Sequence, residues 1–131
     1  MPNGILIADD SGAFRRAVRA YLTAQNFEVC GEAIDGKDVL EKATQLRPAV
    51  VLLDLRMPHV NGVEVASLLK GRMPDVRIVL LTMYDEVLNY KSLMTAIGID
   101  AMISKLDPLS RLSVCIQQLL VSAQSQPEKE G

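Results

Sequence analysis

Ala49-Val50-Val51-Leu52-Leu53-Asp54 is an unbroken aliphatic run that ends on a carboxylate. Its valine and leucine content fits a strand buried on both faces, as in the interior of a parallel sheet. Parallel strands need crossovers, and on both sides of this run strand-like segments alternate with helix-like ones. Upstream, Ile5-Leu6-Ile7-Ala8 runs into Asp9-Asp10. Downstream, Val76 to Leu81 runs into Thr82, and Ala101-Met102-Ile103-Ser104 into Lys105. The strand C-termini of a parallel sheet share one edge, and ligands bind there. Three carboxylates, one hydroxyl and one ammonium from distant segments are therefore expected to meet.

The segments between these runs read as helices. Ala13 to Ala24 carries Phe14, Val18, Tyr21 and Leu22 at helical spacing, with Ser11 placed to cap the exposed N–H groups. Phe27 to Ala33 reads as the second strand. Asp35-Gly36 opens a second helix marked by Val39, Leu40, Ala43 and Leu46, which must close before Pro48. Met57 to Gly62 reads as a loop. Val63 to Leu69 opens a third helix closed by Gly71 and Pro74. A fourth is expected from Asp85 or Glu86 to Ile97, with Gly98 as left-handed terminator. Pro108 suits the first turn of a last helix reaching Ala123. The pattern predicts an α/β fold: a flavodoxin-like, doubly wound, five-stranded parallel sheet of order 2-1-3-4-5 with five helices. In that order strands one and three flank the topological switch point, so Asp9, Asp10 and Asp54 face one another across the crevice. The domain is expected over residues 1–123, with the polar stretch 124–131 as a linker or frayed tail.

Bulk properties narrow the classes. A chain of 131 residues, 49% hydrophobic and 23% charged, makes one soluble domain with a sizeable core. The net charge of −2 leaves no basic stripe, so direct nucleic-acid binding by this domain is not expected. No run approaches the roughly 18 apolar residues of a membrane span. Met1-Pro2-Asn3-Gly4 leads straight into strand one without a signal peptide, so a cytoplasmic location is the default. Cys30 and Cys115 lack a second pair or a histidine cluster and are expected to be reduced core residues.

Crowded carboxylates repel, and magnesium is the natural partner: a hard ion that takes oxygen ligands and keeps several waters. Taken singly, Asp10 reads as a turn or cap residue, Thr82 as a capping hydroxyl and Lys105 as a solvated side chain. Their coincidence at four strand ends carries the inference.

The set Asp9-Asp10, Leu53-Asp54-Leu55-Arg56-Met57-Pro58-His59-Val60-Asn61-Gly62, Leu81-Thr82-Met83 and Ser104-Lys105 resembles the receiver domain of bacterial two-component response regulators. The resemblance runs from Gly4 to Ala123, and Leu81 to Asp85 looks most like receivers followed by a C-terminal helix-turn-helix output domain. It implies that Asp54 is the phosphoacceptor, attacking a phosphohistidine on a partner sensor histidine kinase. It implies Mg2+ held by Asp10 directly, by Asp9 partly through water, by Asp54 and by the backbone carbonyl of Arg56. Lys105 would pair with a phosphoryl oxygen, and Thr82 would hydrogen-bond another and carry the change to the surface. Such a domain catalyses only its own phosphoryl transfer and dephosphorylation, and acts on transcription through an output domain or a downstream protein. Homodimerisation on phosphorylation, through the face of the fourth and last helices, is compatible with the sequence. The competing readings are a small magnesium-dependent phosphatase, a flavin or nucleotide binder, and a degenerate, phosphorylation-independent interaction module.

Several positions depart from the receiver pattern. Met102 stands where an aromatic residue is common, which suggests altered coupling to the output face. Leu106 follows the lysine where a cis-proline is common, so a trans bond is expected. Ala101 replaces a usual glycine. Arg56 and Tyr84 are bulky where receivers vary their rate of phosphate loss, which predicts slow self-dephosphorylation. His59 reads as a solvated histidine, and Met83 as either a core filler or a wall narrowing access.

Overall fold

The computed structural model describes residues 4–57, 60–83, 92 and 94–125. The elements are β1 (Ile5–Ala8), α1 (Gly12–Ala24), β2 (Val29–Ala33), α2 (Gly36–Leu46), β3 (Val50–Asp54), β4 (Arg56–Met57), β5 (Val60–Asn61), α3 (Gly62–Arg72), β6 (Arg77–Thr82), β7 (Ala101–Ser104) and a last helix, α5 (Leu109–Ser125). Between β6 and β7, helix α4 is described at 92 and 94–97. The expected start of α4 at Asp85 or Glu86, together with Pro58, His59 and Tyr84, lies outside the described residues.

The main sheet has the order β2-β1-β3-β6-β7. Counted over its own five strands, that is the expected 2-1-3-4-5. The shift in numbering comes from β4 and β5, a two-residue antiparallel ladder (Arg56 opposite Asn61, Met57 opposite Val60) where the sequence suggested only a loop.

Alternation along each strand divides the core into two layers. Leu6, Ala8, Val51, Leu53, Ile78 and Leu80 pack with Val39, Ala43, Val65, Ala66 and Leu69 of α2 and α3. Ile5, Ile7, Val50, Leu52, Val79, Leu81 and Ile103 pack with Val18, Leu22, Leu112 and Ile116 of α1 and α5. Burial on both faces is what the continuous aliphatic runs require.

Helix ends follow their local chemistry. Ser11 Oγ accepts from the Phe14 N–H at 3.2 Å, and the Asp35 carboxylate accepts from the Asp38 N–H at 2.8 Å. The Asn61 side chain caps α3 by accepting from the Val63 N–H at 2.7 Å. Pro48 keeps Arg47 out of the helical region, and Arg47 adopts left-handed dihedrals with φ 47. Gly98 is left-handed at φ +87, as expected of a helix terminator.

Two boundaries differ from the sequence expectation. Helix α3 runs through Gly71 to Arg72. One glycine costs about 1 kcal/mol in a helix, less than the buried face of Val65, Ala66 and Leu69 contributes. Strand β2 begins at Val29, because Phe27 belongs to the end of α1. There Asn26 is left-handed (φ 69), its N–H reaches Thr23 O at 3.0 Å, and the Phe27 N–H reaches Leu22 O at 3.0 Å, which is a Schellman terminator. Cys30 and Cys115 are free and only partly buried, flanking the two core layers rather than lying within them.

Candidate functional site

Strand register brings the sequence-predicted residues together. Ala8 of β1 lies opposite Leu53 of β3, so the next residues in line are Asp9 and Asp54. Asp54 pairs with Leu81 and Thr82 with Ser104, so each following strand ends at the same edge. The ladder continues one step past β7, where the Lys105 N–H donates to Thr82 O at 2.6 Å. Asp9 and Asp54 share the parity of the layer facing α1 and α5, as does Lys105 two residues after Ile103.

Asp9 is fully buried. Its Oδ1 accepts from the Ser11 N–H at 2.8 Å, and its Oδ2 has Lys105 Nζ at 2.6 Å as an ion-pair partner, without the alignment of a directed hydrogen bond. Asp10 is exposed. Asp54 is 5% exposed; Oδ1 accepts from the Arg56 N–H at 3.0 Å, and Oδ2 lies 3.6 Å from Lys105 Nζ. Thr82 is buried, and among the described residues its Oγ1 has no hydrogen-bond partner. Lys105 is therefore not a solvated side chain, and Thr82 is not a cap. Asp10, Asp54, Arg56, Thr82, Met83 and Lys105 line one open cleft of about 180 Å³. Met83 is largely exposed there, a wall of the cleft rather than a core filler.

Electrostatics set Asp54 apart. Burial pushes its carboxyl from 3.8 up to about 6, with Asp9 and Asp10 adding to the rise. The Arg56 N–H and the Lys105 ammonium oppose it. A carboxylate short of charge compensation, open to a cleft, attracts an added cation. Asp9, Asp10 and Asp54 each offer one oxygen, all within 4.8 Å of one another. These three oxygens would suit one small hard ion such as magnesium, which takes carboxylate ligands.

Gly62 fixes the backbone under this site. A Cβ there would stand 2.6 Å from Asp54 O and 2.8 Å from Leu55 Cα, both main-chain atoms. The Gly62 N–H also donates to Leu55 O at 2.8 Å. Gly62→Ala should cost roughly 1–3 kcal/mol, read as a lower urea midpoint, because no flexible side chain can yield. Wild-type stability in that variant would count against the close approach.

The response regulator receiver domain family matches residues 5–117 of the chain. The chain belongs to that family. The receiver is 35% identical over 122 residues to the response regulator protein VraR of Staphylococcus saprophyticus, covering 90% of this chain and 56% of that protein. It is 39% identical over 83 residues to the transcriptional regulatory protein DegU of Brevibacillus brevis, covering 63% of this chain and 35% of the relative. It thus spans about half the length, or less, of these curated relatives. A CheY-like receiver domain protein from Methanospirillum hungatei superposes with a TM-score of 0.87 at 22% identity, covering 97% of this chain and all of that one, which supports the fold.

Some residues around the receiver site escape a sequence reading. Phe14 reads only as an apolar helix position, yet Lys105 Nζ lies over its ring, 4.4 Å from the centroid. Arg15 donates through Nη1 to Asp9 O at 2.7 Å and pairs through Nε with Glu32 at 2.9 Å, tying α1 to the ends of β1 and β2. Their nearness to Asp9 in sequence, in the first turn after strand one, is the only signal available. Met102 is partly buried and packs on the α2–α3 layer. No described peptide bond is cis, so the Lys105–Leu106 bond is trans as expected.

Proposed function

We propose that this receiver accepts a phosphoryl group on Asp54 from a sensor histidine kinase and uses Mg2+ to do so. One observation carries the reading. Asp54 opens into a cleft beside a lysine 3.6 Å away and a buried, unpartnered threonine hydroxyl, with two further carboxylates at its flank. The domain is proposed to span residues 1–123, with 124–131 as a linker or tail, although helix α5 itself runs on to Ser125.

Asp9, Asp10, Asp54 and the backbone carbonyl of Arg56 would hold the ion. When bound, it neutralises the carboxylates and polarises the oxygens of the group in transfer. An Asp54 oxygen forms a bond to phosphorus as the phosphorus–nitrogen bond to the kinase imidazole breaks. Lys105 supplies a point charge to one phosphoryl oxygen. Thr82 donates its hydroxyl to another, gaining the partner it lacks in the unphosphorylated chain. That gain biases a two-state equilibrium of the surrounding surface. Transcription is controlled through a C-terminal DNA-binding output domain or a downstream protein; the receiver itself does not touch nucleic acid or membrane. Among the described residues no helix is long and apolar enough to cross a membrane, and we place the protein in the cytoplasm. Homodimerisation on phosphorylation belongs to the same proposal.

Beryllofluoride with magnesium tests the reading directly. The adduct should bind wild type and shift the amide signals of Thr82, Met83 and Lys105. Failure to bind would favour the interaction-module alternative, which Met102 at the usual aromatic position motivates.

Two further outcomes are expected. Thr82→Val removes a buried hydroxyl that bonds to nothing, so stability should hold or rise by about 1 kcal/mol in denaturant titration. The same variant should take the phosphoryl group yet lose the accompanying surface shifts. A clear loss of stability would mean that Thr82 has a structural partner. Arg56 lines the cleft, and Tyr84 lies outside the described residues; bulk at these two positions should slow loss of phosphate to many minutes or longer, and release within seconds would reject that reading.

A further inference from the structure

Phe14 packs on one side against the layer shared by α1 and α5. Its ring also carries Lys105, with Nζ 4.4 Å from the centroid. The negative face of an aromatic ring attracts an ammonium at this range, more strongly where water is excluded. The Lys105 side chain is 10% exposed, so most water is excluded. Among the described residues, the ammonium's ion-pair partners are Asp9 Oδ2 at 2.6 Å and Asp54 Oδ2 at 3.6 Å.

These contacts close a ring through four residues. Asp9 Oδ1 accepts from the Ser11 N–H, and Ser11 Oγ accepts from the Phe14 N–H. The Phe14 ring holds Lys105, whose ammonium returns to Asp9 Oδ2. A lysine stem is flexible, and a single carboxylate partner leaves its ammonium free to pivot. The ring fixes it from another direction, through a contact that neither aspartate side chain makes. An aliphatic side chain could fill the same space but offers no face to a cation.

We propose that Phe14 is a positioning residue, its ring keeping the Lys105 ammonium at the cleft while that ammonium exchanges a carboxylate for a phosphoryl oxygen. The inference rests on the reading of Asp54 as acceptor and Lys105 as its phosphoryl partner.

The test uses the full chain with Phe14→Leu, Phe14→Tyr, and Phe14→Leu combined with Lys105→Met. By NMR, the ε-methylene protons of Lys105 should be shifted upfield by the ring current in wild type and Phe14→Tyr. They should return to the ordinary lysine position in Phe14→Leu. The rate of labelling by acetyl phosphate with magnesium should fall roughly three- to tenfold in Phe14→Leu, the worth of a partly desolvated contact of this kind. It should recover in Phe14→Tyr. Once Lys105 is methionine, Phe14→Leu should change the rate no further. An unshifted methylene in wild type overturns the proposal. So does an unchanged rate in Phe14→Leu, or an equal loss in the Lys105→Met background. A wild type with the shifted methylene that takes no label overturns the acceptor reading, and with it the catalytic consequence, while leaving the contact itself established.

Discussion

Asp54→Ala is expected to abolish labelling by acetyl phosphate with magnesium, read as the loss of the single phosphoryl mass increment that wild type acquires. Asp9 is fully buried and its Oδ2 is held by Lys105 at 2.6 Å, so it cannot approach a donor in the cleft. Asp10 is exposed but has neither Lys105 nor Thr82 described against it. Asp54 alone of the three combines an opening to the cleft with an ammonium 3.6 Å away and a backbone donor that holds one carboxylate oxygen in place. A nucleophile oriented in this way gains chiefly from positioning and charge stabilisation, and both vanish with the side chain. Equal labelling of Asp54→Ala and wild type would move the acceptor elsewhere. Asp54→Asn should behave alike, since the amide keeps the shape but is a poor nucleophile.

Much of this site was legible in the chain, and for one physical reason. In a parallel sheet the aliphatic run and the residue that ends it are consecutive in sequence, so the layout of the catalytic edge is written at the ends of the strands. Asp9, Asp54, Thr82 and Lys105 were readable in that way, and register then did the rest. What escaped depends on contacts between elements. The Phe14–Lys105 contact joins the first turn of α1 to the residue after β7, and no period or motif encodes that pair. The β4–β5 ladder is two residues long on each side, too short for alternation to register. The end of α1 at Ala24 matches the reading, but the start of β2 does not, because Asn26 and Phe27 serve a left-handed terminator while Phe27 has the composition of a strand residue. Gly71 was over-read as a stop, since its small local cost is outweighed by the buried face of α3. The acidity of Asp54 was beyond sequence reasoning altogether, because burial is its first cause.

That acidity leads to the second large effect, on stability. The folded chain holds the Asp54 proton up to about pH 6, whereas the ordinary value is 3.8. Between those values the folded chain binds a proton that the unfolded chain has released. Stability contributed by the protonated carboxyl is therefore fully present below the ordinary value and is lost as pH rises through about 6. At neutral pH the ionised side chain costs up to about 3 kcal/mol, at about 1.4 kcal/mol per unit. Asp54→Asn removes that cost while leaving Lys105 its ion pair with Asp9. The variant should be more stable than wild type by roughly 1–3 kcal/mol at pH 7, and the gap should close as the pH falls below about 4. Urea titrations at both pH values measure it. Magnesium should narrow the gap from the other side, since an ion that binds only the folded acidic cluster stabilises wild type by mass action. A variant no more stable than wild type at pH 7 would mean that Lys105 and the Arg56 N–H already compensate the Asp54 charge. The pull on an incoming cation would then have to come from Asp9 and Asp10.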